Sequence, residues 1–189
     1  MFCARNIFEK IVSSAEVARD IGIMVLGILI LLGGRIMENI RNVAGYIAIR
    51  YKKNFGTEID EMKLHKMMYF AQRESYVMYD KPLFKGIFYG WKFGPILKEV
   101  RKLYKDGDFS FTGSVDEHFK VLMDEVFKRY ASKDSWSLSR LTHGEISWKN
   151  SRIGVGENEA SDNQISESDI ILDAKRIRER SSFLSSLTD

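Results

Sequence analysis

Cysteine is nearly missing from this 189-residue chain, with Cys3 as the only one. A single thiol cannot close an internal disulfide, and a zinc site built on cysteine ligands is excluded. A reducing cytoplasm fits that usage. The three histidines, His65, His118 and His143, lie far apart in sequence. No Gly-x-x-x-x-Gly-Lys phosphate loop, Gly-x-Ser-x-Gly elbow or His-Glu-x-x-His helix occurs. His143-Gly144-Glu145 has the His-x-Glu of zinc deaminases but no Pro-Cys-x-x-Cys partner. Gly154-Val155-Gly156 lacks the third glycine and the preceding strand of a dinucleotide loop. No nucleophile pairs with a base at credible spacing, so the reading is of a protein that is not an enzyme, with no cofactor and no metal. Charge of one sign is also scarce. The net charge is only +3, so nucleic-acid binding would need a concentrated patch rather than bulk charge.

What is present suits one soluble globular domain, with 44% hydrophobic and 29% charged residues. Aromatic residues reach 12%, and such side chains fill cores and anchor binding surfaces.

The N-terminus stands apart. Residues Ile21 to Gly34 form an uncharged apolar run between Asp20 and Arg35. It is short for a membrane-spanning helix, which needs about 20 residues. Glu9, Glu16 and Asp20 spoil a basic leader, and no Ala-x-Ala-like cleavage site follows. Gly33-Gly34-Arg35-Ile36 directly precedes Met37, and glycine codons begin with GG. A purine-rich ribosome-binding site before an internal ATG is therefore the preferred explanation. Residues 1–36 are then a non-native leader, with an apolar N-terminal helix as the alternative, and any membrane contact rests on 21–34 alone.

From Met37 the pattern predicts a mainly α protein, a multi-helix domain with a small hairpin or extended segment near 84–93. Ile40, Val43, Ala44, Ile47 and Tyr51 repeat at helical spacing, and Gly56 stops that helix. Leu64, Met67, Met68, Ala71, Ser75 and Met78 mark a second helix ending before Asp80-Lys81-Pro82. Phe84, Ile87, Phe88, Tyr89, Trp91 and Phe93 cluster around Gly86 and Gly90, which suits short strands. Gly94-Pro95 is expected to open a helix with proline at its first position, and Ile96, Leu97, Val100, Leu103 and Tyr104 on its apolar face. Ser114 and Glu117 form an expected capping box before the stripe Val115, Phe119, Leu122, Val126 and Tyr130. Ser135 caps a shorter helix with Trp136, Leu138 and Leu141. Residues 154–164 read as a loop, and Ser166 with Asp169 as a second box before Ile170, Ala174 and Ile177. The chain frays from Ser181, leaving 184–189 as a tail.

Two stretches invite functional readings. Asp106, Asp108, Ser110, Thr112, Ser114 and Glu117 fall at calcium-loop positions, but the sixth position needs glycine and carries Phe111. A polar turn explains the same residues. Lys85, Lys92, Lys98, Arg101, Lys102 and Lys105 face only Glu99 in their window, interleaved with Phe88, Tyr89, Trp91 and Phe93. That mixture suits an acidic protein patch or a phosphate backbone with stacked bases. A solvated helix face beside core aromatics is the bland alternative.

Three segments carry a family resemblance. Lys63-Leu64-His65-Lys66-Met67-Met68-Tyr69-Phe70 resembles the "KLQKLLYF" helix of the Panacea domain, the SocA-like, phage-associated antitoxin family. Trp91-Lys92-Phe93-Gly94-Pro95-Ile96 with Tyr104 resembles its "WKYGPV…Y" segment, and Leu138 to Trp148, including Leu141-Thr142-His143, its "LS-x-LTH…W" element. His65 stands where the family usually has glutamine, Met67-Met68 replace two leucines, and Phe93 replaces tyrosine. The resemblance runs from Met37 to about Phe183, so 37–183 reads as the domain.

The resemblance implies a helical protein that neutralises a cognate toxin by binding it, and in some relatives hands it to a protease. Lys63, Leu64, Tyr69, Phe70, Gly94, Pro95, Thr142, His143 and Trp148 are then framework residues. Phe88, Tyr89, Trp91, Lys92, Lys98, Arg101, Lys102 and Lys105 form the expected partner-binding face. A DNA-binding or autoregulatory protein using the basic patch at 85–105 is the runner-up. The expected start at Met37 is checked by intact mass of the natively expressed protein: a mass beginning at Met37 is expected, and one including residues 1–36 overturns it.

Overall fold

The computed structural model of the protein describes residues 37–113 and 115–187. The apolar run at 21–34, the start at Met37 as against Met1, Ser114 of the expected capping box and residues 188–189 of the tail lie wholly or partly outside them. Within them the fold is mainly α, with one two-stranded hairpin.

Helix α1 spans Ile40–Phe55, and the Asn39 side chain starts it by accepting the Arg41 N–H at 2.8 Å. Gly56 ends it at φ 72°, returning its N–H to the Lys52 carbonyl, as a left-handed C-cap does. Helix α2 spans Glu61–Tyr79, capped by Asp60 on the Lys63 N–H. Every residue from Lys63 to Tyr76 in it is buried, so the single-face pattern of the sequence understates its position. Polar groups on such a helix need internal partners. Gln72 donates to the Phe84 carbonyl at 3.2 Å and accepts the N–H groups of Leu83 and Phe84. Arg73 reaches Glu74, Glu145 and the Tyr130 hydroxyl.

Strands β1 (Phe88–Trp91) and β2 (Gly94–Leu97) pair antiparallel around the two-residue turn Lys92-Phe93. The expected helix start at Gly94-Pro95 is therefore corrected: Pro95 sits in an edge strand opposite Gly90, and helix α3 begins at Lys98 and runs to Asp106. Proline lacks an N–H and fits an edge strand as well as a first helical turn, so its position alone does not choose.

Helix α4 spans Glu117–Val126 and is capped by Asp116, which accepts the Phe119 N–H at 2.7 Å. It continues into a single π turn at Phe127–Ala131 that stacks Tyr130 on Phe70, centroids 4.1 Å apart. Helix α5 is Ser135–His143, capped by Asp134 rather than by Ser135. Helix α6 is Ile146–Ser151, and helix α7 is Glu167–Ser185. Ser166 occupies the N-cap of α7 without a side-chain bond into it, and the helix continues past Ser181. Helix α2 packs against α1, α3, α4, α5, α7 and β2. No described helix is long and apolar enough to cross a membrane.

Asp173 on α7 joins α6 to the core. Its carboxylate, with no exposed area, accepts the N–H groups of Ile146 and Ser147 and the Tyr69 hydroxyl. It thus caps a helix that has no cap of its own. Asp173→Ala leaves two buried donors unpaired and is expected to lower stability by about 2–3 kcal/mol, read by urea unfolding. A loss within experimental error contradicts this role.

Candidate partner-binding site

Gly94 sets the geometry of the site. At φ 103°, a Cβ there would overlap Thr142 Oγ1 and stand 2.7 Å from Lys66 Cε. Only glycine lets the hairpin close onto α2 and α5 here. The Lys66 amine, buried below the turn, donates to the Pro95 carbonyl at 3.2 Å. Ser139 on α5 donates to the Phe93 carbonyl at 2.9 Å, and the Trp148 indole donates to the Trp91 carbonyl at 2.9 Å. Trp148 in turn stacks on His143 with centroids 3.9 Å apart. The Lys63 amine donates to the Tyr51 hydroxyl at 2.8 Å, Leu64 lies in the core, and Tyr69 bonds Ser147 and Asp173. Of the nine expected framework residues, Lys63 thus ties α2 to α1, and Leu64, Tyr69 and Phe70 are buried in the core.

Beside the turn lies an open cavity of about 810 Å³, with Met62, Trp91, Phe93 and Ile96 as apolar walls and Glu61, Lys92, Arg101 and Asp162 among its polar lining. His65 and Lys66 also contribute to it. The His65 Nδ1 accepts the Leu97 N–H at 3.3 Å, which assigns the remaining proton to Nε2. Nε2 is buried and has no hydrogen-bond partner among the described residues, since Glu61 stands 3.7 Å away, beyond bonding reach. Burial lowers the His65 pKa against the opposing influence of Glu61, so the ring is neutral. Glu61 is held below its ordinary range by the imidazole and by Arg101, whose Nη1 lies 3.0 Å away. Burial also lowers the Lys66 amine to about 7.

The expected binding face divides on inspection. Phe88 is 2% exposed and packs against Tyr69 and Phe84, inside the core rather than on the face. Tyr89 and Trp91 are half-buried under cations: Lys98 Nζ lies 4.2 Å from the Tyr89 centroid and the Arg101 guanidinium 4.9 Å from that of Trp91. Asp162 ties both together, accepting the Trp91 indole N–H at 3.2 Å and pairing with Lys98 at 3.0 Å. Lys102 and Lys105 are exposed on α3. Lys92 lies over the Phe93 ring, 5.0 Å from its centroid, and Phe93 meets the exposed Trp136 edge-on at 5.3 Å.

Several contributors carried no signal in the sequence. Arg152, buried, donates to the carbonyls of Gly90, Gly156 and Glu159, folding the loop 154–164 onto β1. The Ile165 N–H extends the pairing by reaching the Phe88 carbonyl. Asp162 looked like one more loop residue. Of the proposed calcium positions, Asp108 pairs with Arg41, Thr112 bonds Asn42 and Glu117 pairs with Lys120. Among the described residues, no group of three or more His, Cys, Asp or Glu could hold a metal ion.

Lys66 gives this site a pH signature. In the unfolded chain its amine holds a proton to roughly pH 10, whereas in the fold it releases it near 7. The unfolded state then binds more protons, so stability rises with pH between about 7 and 10, by up to roughly 1.4 kcal/mol per unit. Lys66→Met is expected to flatten that rise in urea titrations; an unchanged slope contradicts the assignment.

Residues 64–149 match the family model described as Antitoxin SocA-like, Panacea domain. No curated protein and no solved structure matches the chain. The matched span takes in α2 from Leu64 onward, the hairpin, α3, α4, α5 and the start of α6, and leaves out Glu61, Met62 and Asp162 of the cavity lining. Over that span the match agrees with the resemblance carried by the three sequence segments.

Proposed function

We propose that the chain neutralises a cognate toxin by binding it directly, through the face formed by the hairpin turn, the adjoining cavity and α3. The family match supports an antitoxin-type function in general terms. The observation that carries the finer reading is the cavity itself: an aromatic and aliphatic hollow rimmed by cations, on a turn locked from beneath by Lys66, Ser139 and Trp148. Rigid aromatic anchors beside Arg are the usual composition of a protein-binding hot spot, and a held turn avoids ordering costs on association. In this reading the chain performs no reaction.

Base stacking is less favoured on this surface. Phe88 is in the core, and cations already cover Tyr89 and Trp91, so few open ring faces remain for a single strand.

The test is expression of the neighbouring gene alone and with this chain. Toxicity alone and rescue by co-expression are expected. No toxic neighbour, and no toxin captured on the purified chain, would falsify the antitoxin reading. Charge reversal at Lys98, Arg101, Lys102 and Lys105 then maps the face. Lys102→Glu with Lys105→Glu, both exposed, is expected to slow association by about tenfold at low salt. Full rescue by the folded quadruple variant means that another surface binds.

A further inference from the structure

Charge around the cavity is unevenly matched. Among the described residues, Lys98 pairs with Asp162 and Arg101 with Glu61. No carboxylate of the described residues lies within ion-pair distance of Lys92, Lys102 or Lys105. Lys92 lines the cavity, and Lys102 and Lys105 are exposed on α3, the helix whose Arg101 also lines it. The interior is large enough for an indole or phenyl side chain, since drug-sized ligand pockets begin at roughly 300 Å³ and this one measures about 810 Å³. Apolar surface also continues outside it: Phe93 is 44% exposed and Trp136 56% exposed, in edge-to-face contact. A hollow that takes one bulky side chain, beside a flat aromatic ledge and unmatched lysines, specifies its occupant more narrowly than a basic patch does.

We infer that the cavity beside the hairpin turn receives a short acidic segment of the partner protein, whose large aromatic or aliphatic side chain enters between Met62, Trp91 and Ile96 while its carboxylates meet Lys92, Lys102 and Lys105. This rests on the proposed protein-binding function and names the chemistry that the face selects. Anchor burial supplies affinity, and the lysines supply steering and discrimination against basic sequences. Trp136 and Phe93 then cover the chain of the segment next to its anchor. The centre of the interface is thereby the turn and cavity, with the outer lysines of α3 at its rim.

The purified full chain is titrated by calorimetry with three synthetic peptides: acetyl-Glu-Glu-Trp-Glu-Glu-amide, its lysine counterpart and its alanine-for-tryptophan counterpart. The acidic tryptophan peptide is expected to bind at least tenfold more tightly than either of the others. Met62→Trp, which fills the cavity from the half-buried first turn of α2, is expected to abolish that preference while leaving the circular dichroism spectrum and Tm unchanged. Trp136→Ala, an exposed position, gives a second variant that keeps the fold and is expected to weaken the acidic peptide severalfold. Equal affinity for all three peptides, or undiminished binding to folded Met62→Trp, overturns the inference. The two readings separate cleanly. Peptide preference without a rescued toxin removes the antitoxin reading and leaves the site. Rescue by Met62→Trp at wild-type level removes the site and leaves the antitoxin reading.

Discussion

Lys66 reaches up from the middle of α2 to the carbonyl of Pro95, through a space that stays open only because residue 94 has no side chain. The contact is demanding on both sides. A buried amine must find an acceptor, and the acceptor comes from a turn whose φ of 103° excludes ordinary residues. Once made, it fixes the height of the hairpin over α2 and α5. From that follow the positions of Trp91 over the cavity, of Trp148 against the Trp91 carbonyl, and of Lys98 at the start of α3. The three segments that carry the family resemblance are separated in sequence and meet here.

Much of the scaffold was legible in the sequence because helices advertise themselves by period. The stripe through Ile40–Tyr51 lies on a buried face as expected, as do Phe119, Leu122, Val126 and Tyr130, whereas Val115 of that second stripe is 42% exposed. The Gly56 stop is where its chemistry places it. Helix α2 is the instructive exception. Its apolar stripe is real, yet Lys63, Lys66, Arg73 and Glu74 are buried as well, because neighbours surround it and each charge finds a partner far along the chain. Glu145, for instance, lies 72 positions from Arg73. No local pattern encodes such a pairing. The misplaced start of α3 has a local cause: Gly-Pro suits a turn before a helix and an edge strand alike, and pairing with Phe88–Trp91 decided between them. Aspartates at 116 and 134 won the capping positions from nearby serines, a shift of one or two residues that sequence patterns rarely resolve.

The candidate site was legible by composition and not by geometry. Aromatics and lysines between 84 and 105 pointed to the hairpin and α3, but the cavity beside them also takes Glu61 and Met62 from α2 and Asp162 from a loop far downstream of the hairpin. Arg152 holds that loop in place through backbone carbonyls alone, contacts to which sequence pattern is blind. The geometry also sorts the face by role. Phe88 supports from within, Lys98 and Arg101 cover the rings, and Lys102 and Lys105 are exposed on α3.

The claim that this face, and no other, engages a partner protein is tested most directly by hydrogen exchange on the chain alone and with the product of the neighbouring gene. The account predicts slowed exchange confined to residues 89–105 and 158–162 with the adjoining first turn of α2. Slowing elsewhere with those segments unchanged, or no slowing at saturating partner, contradicts it.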